Sequence, residues 1–114
     1  MNKRTRKLQF SAKAMKRITE RDRDQCIFCA RSYHMECKDP FLYRIREHMH
    51  YINKSAGGMG IEENGALGCK YHHMLLDNGN KGLREEMLGI FKEHLKAHYP
   101  EWDEKKLRYR KYDF

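Results

Sequence analysis

Long apolar segments are absent from this chain of 114 residues, in which hydrophobic residues make up 39% of the total. No run approaches the roughly eighteen apolar residues that a membrane-spanning helix requires. The N-terminal sequence Met-Asn-Lys-Arg-Thr-Arg-Lys also lacks the apolar stretch of a secretory signal peptide. We therefore expect a cytoplasmic protein that does not enter a membrane.

Acidic residues are scarce relative to basic ones. The chain has 16 Asp and Glu against 24 Lys and Arg, and its formal net charge is +8. This balance favours a polyanionic partner such as nucleic acid. Because charged residues reach 35%, a domain this small has a limited apolar core, and a bound metal ion is a common source of additional stability.

Cysteines are few and unevenly spaced. The four are Cys26, Cys29, Cys37 and Cys69. Without a signal peptide a disulfide framework is not expected, whereas Cys26-x-x-Cys29 with Cys69-x-x-His72 is typical of a reduced zinc site with four ligands. Cys37 could replace one ligand, and His34 lies nearby in the sequence. The remaining interpretation is that these are reduced cysteines of the core.

The order of apolar patterns and turn signals predicts a small α+β domain. The predicted elements are a helix from Ser11 to about residue 23, a cysteine turn at 26–29, a polar loop to about Pro40, a strand over 41–52, a glycine-rich loop over 53–64, a strand over 65–68, a helix from about 69 to 78 and a helix over 83–98.

The two ends of the chain are basic. Residues 1–10 are predicted to form a flexible arm that either lies against phosphates or only aids solubility. Residues 11–114 form a single domain, with a core at about 21–79 and a C-terminal helix and tail at 83–114. The tail mixes aromatic and basic residues, which could grip nucleic acid or dock the tail onto the core.

The most specific pattern runs from the end of the first predicted strand, through the glycine-rich loop and the second strand, into the helix that follows. Its motifs are His50, Ser55-Ala56-Gly57-Gly58, Glu63-Asn64 and Cys69-x-x-His72-His73. Together they resemble the motifs of HNH endonucleases, in particular the small HNH proteins of phages and prophages, over about residues 21–79. The resemblance implies a ββα-metal core with a structural zinc site, flanked by N-terminal and C-terminal helices. It also implies a metal-dependent enzyme that hydrolyses phosphodiester bonds in double-stranded DNA.

The resemblance assigns a role to each motif. His50 takes the position of the general base, a task that suits histidine because its pKa is close to working pH. Asn64 braces the loop that orients this base. His73 and Asp77 are four residues apart on a predicted helix, so both can bind one Mg²⁺, Mn²⁺ or other divalent ion.

The sequence departs from the family pattern just before the predicted base. Most HNH proteins have an aspartate or histidine there that also binds the metal, but this chain has Met49, whose thioether is a poor ligand for a hard cation. His48 is the alternative ligand, because alternate residues of a strand share a face. Otherwise the ion depends on His73, Asp77, water and the substrate phosphate.

Basic side chains near these motifs are the candidate DNA contacts. They are Lys3, Arg4, Arg6, Lys7, Arg44, Arg46 and Lys54. A double-strand break needs two active sites, which a homodimer or two successive nicks would provide. Phage relatives of the family often act beside the terminase in genome packaging, and the resemblance therefore also implies a terminase as a partner.

Two other functions are compatible with the same residues. The first is a non-catalytic, zinc-stabilised DNA-binding module derived from an HNH fold, in which the ligand at Met49 has been lost. The second is an assembly factor whose zinc domain serves protein contacts through the helix over 83–98 and the aromatic tail. DNA binding without metal-stimulated cleavage would indicate the first, and partner binding without DNA affinity would indicate the second.

Overall fold

The structure, a computed structural model, describes residues 2–78 and 82–110. Within these ranges the chain folds into α-helices and one two-stranded antiparallel sheet, joined by short 3-10 turns, so the α+β class is confirmed. The elements are α1 Lys3–Leu8, α2 Ala12–Arg21, β1 Arg46–His50, β2 Gly65–Cys69, α3 Lys70–Asn78 and α4 Arg84–His98. None of the described helices is both long enough and apolar enough to cross a bilayer.

The N-terminal residues differ from the irregular arm that the sequence predicts. Residues Lys3–Leu8 form the short helix α1, whose first turn is capped by the Asn2 side chain accepting a hydrogen bond from the Thr5 amide at 2.8 Å. Leu8 is only 4% exposed. A single buried leucine at the end of a basic hexapeptide leaves no apolar periodicity, so the sequence pattern could not indicate this helix.

Helix α2 begins where the sequence predicts. The Ser11 hydroxyl accepts a hydrogen bond from the Ala14 amide at 3.0 Å and caps the helix. Ala14 and Ile18 are buried, whereas Met15 is 37% exposed. The helix ends at Arg21, two residues earlier than predicted.

Strand β1 is shorter than the predicted strand over 41–52. Pro40–Tyr43 instead forms a 3-10 turn, which Asp39 caps by accepting a hydrogen bond from the Phe41 amide. In the sheet, His48 pairs with Leu67, Met49 with Ala66 and His50 with Gly65. Met49 is fully buried in the core with Phe28 and Phe91. His48 and His50 point away from it, as strand alternation requires.

A buried polar cluster joins α2 to the sheet and to α4. The carboxylate of Asp22 accepts hydrogen bonds from the Leu67 amide at 2.8 Å, from His94 Nε2 at 2.7 Å and from Arg21 Nε at 2.7 Å. Burial opposes ionisation of Asp22, but the hydrogen bonds from His94 and Arg21 outweigh it and lower the pKa of this carboxyl to about 2. Asp22 is therefore an ionised group that holds three elements together.

The C-terminal segment packs on the glycine-rich loop. Trp102 donates from Nε1 to the carbonyl of Glu63 at 2.8 Å, and its ring lies 5.7 Å from that of Tyr51. Leu107 is buried, and its carbonyl accepts from the Met59 amide at 2.8 Å. Up to residue 110, the C-terminal tail is therefore docked onto the core. Tyr112 and Phe114, which we also expected to take part, lie outside the described residues.

Candidate functional site

The two cysteine-containing turns converge on one point. The ligand atoms of Cys26, Cys29, Cys69 and His72 all lie within 4.8 Å of one another. Nδ1 of His72 is 3.2 Å from Sγ of Cys69, 3.5 Å from Sγ of Cys29 and 3.7 Å from Sγ of Cys26. Tetrahedral zinc with Zn–S bonds of about 2.3 Å separates its ligands by about 3.8 Å. This cluster can hold a metal ion, and its donors and spacing fit zinc.

Hydrogen bonds orient the ligands of this cluster. His72 donates from Nε2 to the carbonyl of Tyr33 at 2.6 Å, which turns the unprotonated Nδ1 towards the sulfurs. The amide of Cys29 donates to Sγ of Cys26 at 3.5 Å, and the amide of His72 donates to Sγ of Cys69 at 3.4 Å. These N–H···S bonds favour the thiolates that a zinc ion needs.

The sulfur atoms need a cation to ionise together. Burial, with the charge of Cys69 added, raises the pKa of Cys29 to about 11. A hydrogen bond with Cys26, followed by burial, raises the pKa of Cys69 to about 12. Without a cation these two thiols keep their protons at neutral pH, and metal binding would displace them.

The alternative zinc ligands lie elsewhere. Cys37 donates a hydrogen bond from its thiol to the carbonyl of Asp39 at 3.3 Å. The ring of His34 contacts the carboxylate of Glu36 at 2.7 Å. Among the described residues, neither Cys37 nor His34 belongs to the metal-binding cluster.

A second feature is an open cleft of about 680 Å³ beside β1. Its lining contains four of the side chains predicted for catalysis. The lining residues are Gln9, Phe10, Met15, His48, His50, Asn53, Lys54, His73 and Asp77. Strand β1, the loop after it, helix α3 and the N-terminal segment all contribute to this cleft. We call it the catalytic cleft after the roles that the sequence predicts for these residues.

His50 is held from the N-terminal side of the catalytic cleft. Its Nε2 donates to the carbonyl of Leu8 at 2.8 Å, so Nδ1 is the free nitrogen of the neutral ring. The Phe10 ring lies 4.1 Å from the imidazole and packs on Gly65, where a Cβ atom would approach the ring to 2.7 Å. Burial, opposed by the Leu8 carbonyl and aided by Lys54, lowers the pKa of His50.

His73 lies between two carboxylates. Its Nε2 is 3.2 Å from Oδ2 of Asp77, and its Nδ1 is 2.9 Å from Oε1 of Glu47. Adjacent ligands of an octahedral Mg²⁺, with bonds of about 2.1 Å, are about 3 Å apart, so the His73–Asp77 spacing suits one such ion. Glu47 was not among the predicted residues; by strand alternation it goes with Met49 rather than with His50, so the sequence pattern gave no signal for it.

Asn64 is fully buried. Its side chain accepts from the Ile52 amide at 2.8 Å and donates to the carbonyls of Ile52 and Met59, the latter at 2.8 Å. It therefore joins the end of β1 to the glycine-rich loop, two residues after His50. This contact is with the backbone, and the side chain does not line the cleft.

The environments of His48 and Met49 bear on the question of the third metal ligand. Nε2 of His48 lies 3.0 Å from both the Thr19 hydroxyl and the Met15 carbonyl, so this nitrogen is directed to α2. Met49 faces the core and offers no ligand to the cleft. Within the described part of the chain, the cysteine cluster is the only group of three or more potential ligands close enough to share an ion.

The predicted DNA-contacting residues are spread over the surface. Lys54 lines the catalytic cleft, while Lys3 and Lys7 line a separate groove. Arg46 forms an ion pair with Asp24 at 3.1 Å. The remaining three, all exposed, are Arg4, Arg6 and Arg44.

Comparisons of the chain with protein-family models, with curated proteins and with solved structures found no match in any of the three. The functional assignment therefore depends on the residues and their geometry.

Proposed function

We propose that this protein is a metal-dependent endonuclease of the HNH type that hydrolyses phosphodiester bonds in double-stranded DNA. One observation carries the proposal: His50 and the His73–Asp77 pair open on the same cleft, although they belong to a strand and a helix. The succession of β1, β2 and α3 around them supports a ββα-metal core.

The environment of His50 suits a general base. The Leu8 carbonyl accepts the proton on Nε2, so Nδ1 carries the lone pair that takes a proton from water. The lowered pKa of His50 keeps the ring neutral at physiological pH. The Phe10 ring stacks beside the imidazole and restricts its orientation.

His73 and Asp77 are the residues that would bind the divalent ion. When bound, Mg²⁺ or Mn²⁺ supplies charge neutralisation at the phosphate and at the departing oxygen. Glu47 accepts a hydrogen bond from Nδ1 of His73, which leaves Nε2 as the ligand atom and increases its basicity. Glu47 is therefore a positioning residue in this proposal, and Asn64 is a second one, acting through the loop after His50.

The cysteine cluster has a different role from the catalytic cleft. Its four ligands would fill the four positions around a tetrahedral zinc ion and leave none open for a substrate, as in a structural zinc site. The site ties the turn at 26–29 to the end of β2 and the start of α3. It would thereby hold α3 in the position from which His73 and Asp77 face the cleft.

A second candidate function is a DNA-binding module without catalysis. The burial of Met49 favours it, because the position that usually supplies a metal ligand in the family points into the core. In this alternative His73 and Asp77 form only an ion pair on the surface of α3. The alternative predicts DNA binding with no cleavage in any divalent metal.

Plasmid relaxation in the presence of Mg²⁺ or Mn²⁺ separates these functions. The wild-type protein should nick supercoiled DNA, and His50→Ala, His73→Ala and Asp77→Asn should each reduce the rate by at least roughly a hundredfold. His98→Ala, at an exposed position of α4, is the matched control and should retain the wild-type rate. Equal cutting by wild type and His50→Ala would disprove the assignment. Absence of cutting by wild type, with DNA binding intact, would favour the non-catalytic module.

A further inference from the structure

We propose that the two ends of the chain form a second DNA-binding surface, a basic groove that receives a phosphate backbone beside the catalytic cleft. The groove has a volume of about 580 Å³. Its cations are Lys3, Lys7, Lys105, Lys106, Arg108 and Arg110. The inference rests on the proposed function only in the choice of DNA among polyanions.

The glycine-rich loop holds the two walls of the basic groove together. On one side the Gly60 amide donates to the carbonyl of Lys7 at 2.9 Å. A Cβ atom on Gly60 would overlap the backbone of Gln9, so only glycine permits α1 to lie this close. On the other side the Tyr109 amide donates to the carbonyl of Gly57 at 2.7 Å. Backbone hydrogen bonds to this loop therefore fix the positions of both walls, which are about a hundred residues apart in the sequence.

The charge of the basic groove has no partner within the described ranges 2–78 and 82–110. All six cations are exposed, and none of them forms an ion pair with a described carboxylate. The lining contains no acidic residue, and its other members are Met59 and Tyr109. Like charges on both walls of one groove repel one another in the free protein. Bound phosphates would neutralise this repulsion.

Four consecutive residues connect the lining of the basic groove to the lining of the catalytic cleft. Lys7 lines the groove, the Leu8 carbonyl holds His50, and Gln9 and Phe10 line the catalytic cleft. Three peptide units span at most about 11 Å. A strand whose phosphates are bound at Lys7 would therefore lie within a few nucleotides of the cleft that contains His50. The half-buried side chain of Tyr109 also lines the groove and offers an aromatic ring to a sugar or base.

The test is fluorescence anisotropy of a labelled DNA duplex without added divalent metal, over about 50 to 200 mM salt. Two double variants remove one wall each: Lys3→Ala/Lys7→Ala and Lys105→Ala/Arg108→Ala. Each should weaken binding by at least roughly tenfold and reduce the slope of log K against log salt by about 2, because each lost phosphate contact contributes about 0.9.

A matched control removes the same charge elsewhere. Lys38→Ala/Lys96→Ala deletes two exposed lysines that line neither the basic groove nor the catalytic cleft, and its salt slope should equal that of wild type. The inference is overturned if the control weakens binding as much as the wall variants, since only net charge would then matter. It is also overturned if either wall variant binds like wild type while its circular dichroism is unchanged.

Binding and cleavage report separately on the two proposals. DNA binding that needs both walls, in a protein that never cuts, would retain the basic groove and reject the nuclease. Cleavage lost in His50→Ala but unchanged in both wall variants, with unchanged affinity, would retain the nuclease and reject the groove.

Discussion

The imidazole of His50 donates a hydrogen bond from Nε2 to the backbone carbonyl of Leu8 across 2.8 Å. The acceptor lies at the end of helix α1, and the donor lies at the end of strand β1, 42 positions later. The basic N-terminal segment, predicted from the sequence as a flexible arm, is therefore part of the candidate active site. Its Leu8 carbonyl determines which ring nitrogen of His50 is free.

The environment of His50 predicts the pH dependence of cleavage. Burial lowers the pKa of His50, and the neutral ring is the active form, so activity should persist as pH falls below the ordinary histidine value of about 6.5 and decline at lower pH. Phe10→Ala admits water to the ring and should shift the acid limb of kcat/KM upwards, towards about 6.5. The matched control is Phe41→Ala, which removes a ring that is 61% exposed and should leave the profile unchanged. A limb that stays in place in Phe10→Ala would contradict this origin of the shift.

The hydrogen bond between Glu47 and His73 predicts an effect on metal affinity. Glu47→Gln keeps the size of the side chain but removes the charge that orients Nδ1 of His73. The Mn²⁺ concentration for half-maximal cleavage should rise by roughly 10- to 100-fold, with a smaller change in rate at saturating metal. The control is Glu20→Gln, at an exposed position of α2. A loss of rate that no metal concentration restores would instead assign Glu47 a direct part in catalysis.

The cysteine cluster predicts that zinc is needed for folding. Cys26→Ser removes a buried ligand, and such sites contribute on the order of 10 kcal/mol of binding energy to the folded state. The variant should lose its zinc and its cooperative thermal transition. Cys37→Ser, which changes a cysteine outside the cluster, should bind one zinc and unfold at the wild-type temperature. Elemental analysis with calorimetry measures both, and zinc retained by Cys26→Ser would exclude this ligand set.

The Asp22 cluster predicts a large effect from a single substitution far from the cleft. Asp22→Asn leaves Arg21 partly buried without its counter-charge and should lower the free energy of unfolding by roughly 3 kcal/mol at pH 7. Because the pKa of Asp22 is lowered to about 2 in the folded protein, its stabilisation is fully present above about pH 4 and declines only as pH falls towards 2. Asp24→Asn breaks an exposed ion pair with Arg46 and should cost less than about 1 kcal/mol. Urea unfolding of both variants at pH 7 gives the comparison.

Local sequence determined the start of α2 and the shorter-range parts of the sites. The Ser11 cap begins α2, and the spacing of four between His73 and Asp77 brings their side chains within 3.2 Å on α3. The x-x spacing of Cys69 and His72 likewise places both ligands on one turn. Such features depend on backbone geometry over one or two turns, which residue type and spacing describe well.

Only the tertiary structure decided which residues meet across the chain. Glu47 contacts His73, and Leu8 contacts His50, although each pair comes from separate elements. Lys7 and Arg108, from the two terminal segments, line one groove. No periodicity in the sequence indicates these pairings. The two terminal segments are placed by backbone hydrogen bonds to the glycine-rich loop, from Gly60 to the Lys7 carbonyl and from Met59 to the Leu107 carbonyl. The residue types therefore indicate which side chains could bind zinc, act as a base or bind phosphate. Long-range packing determines which other residues orient those side chains.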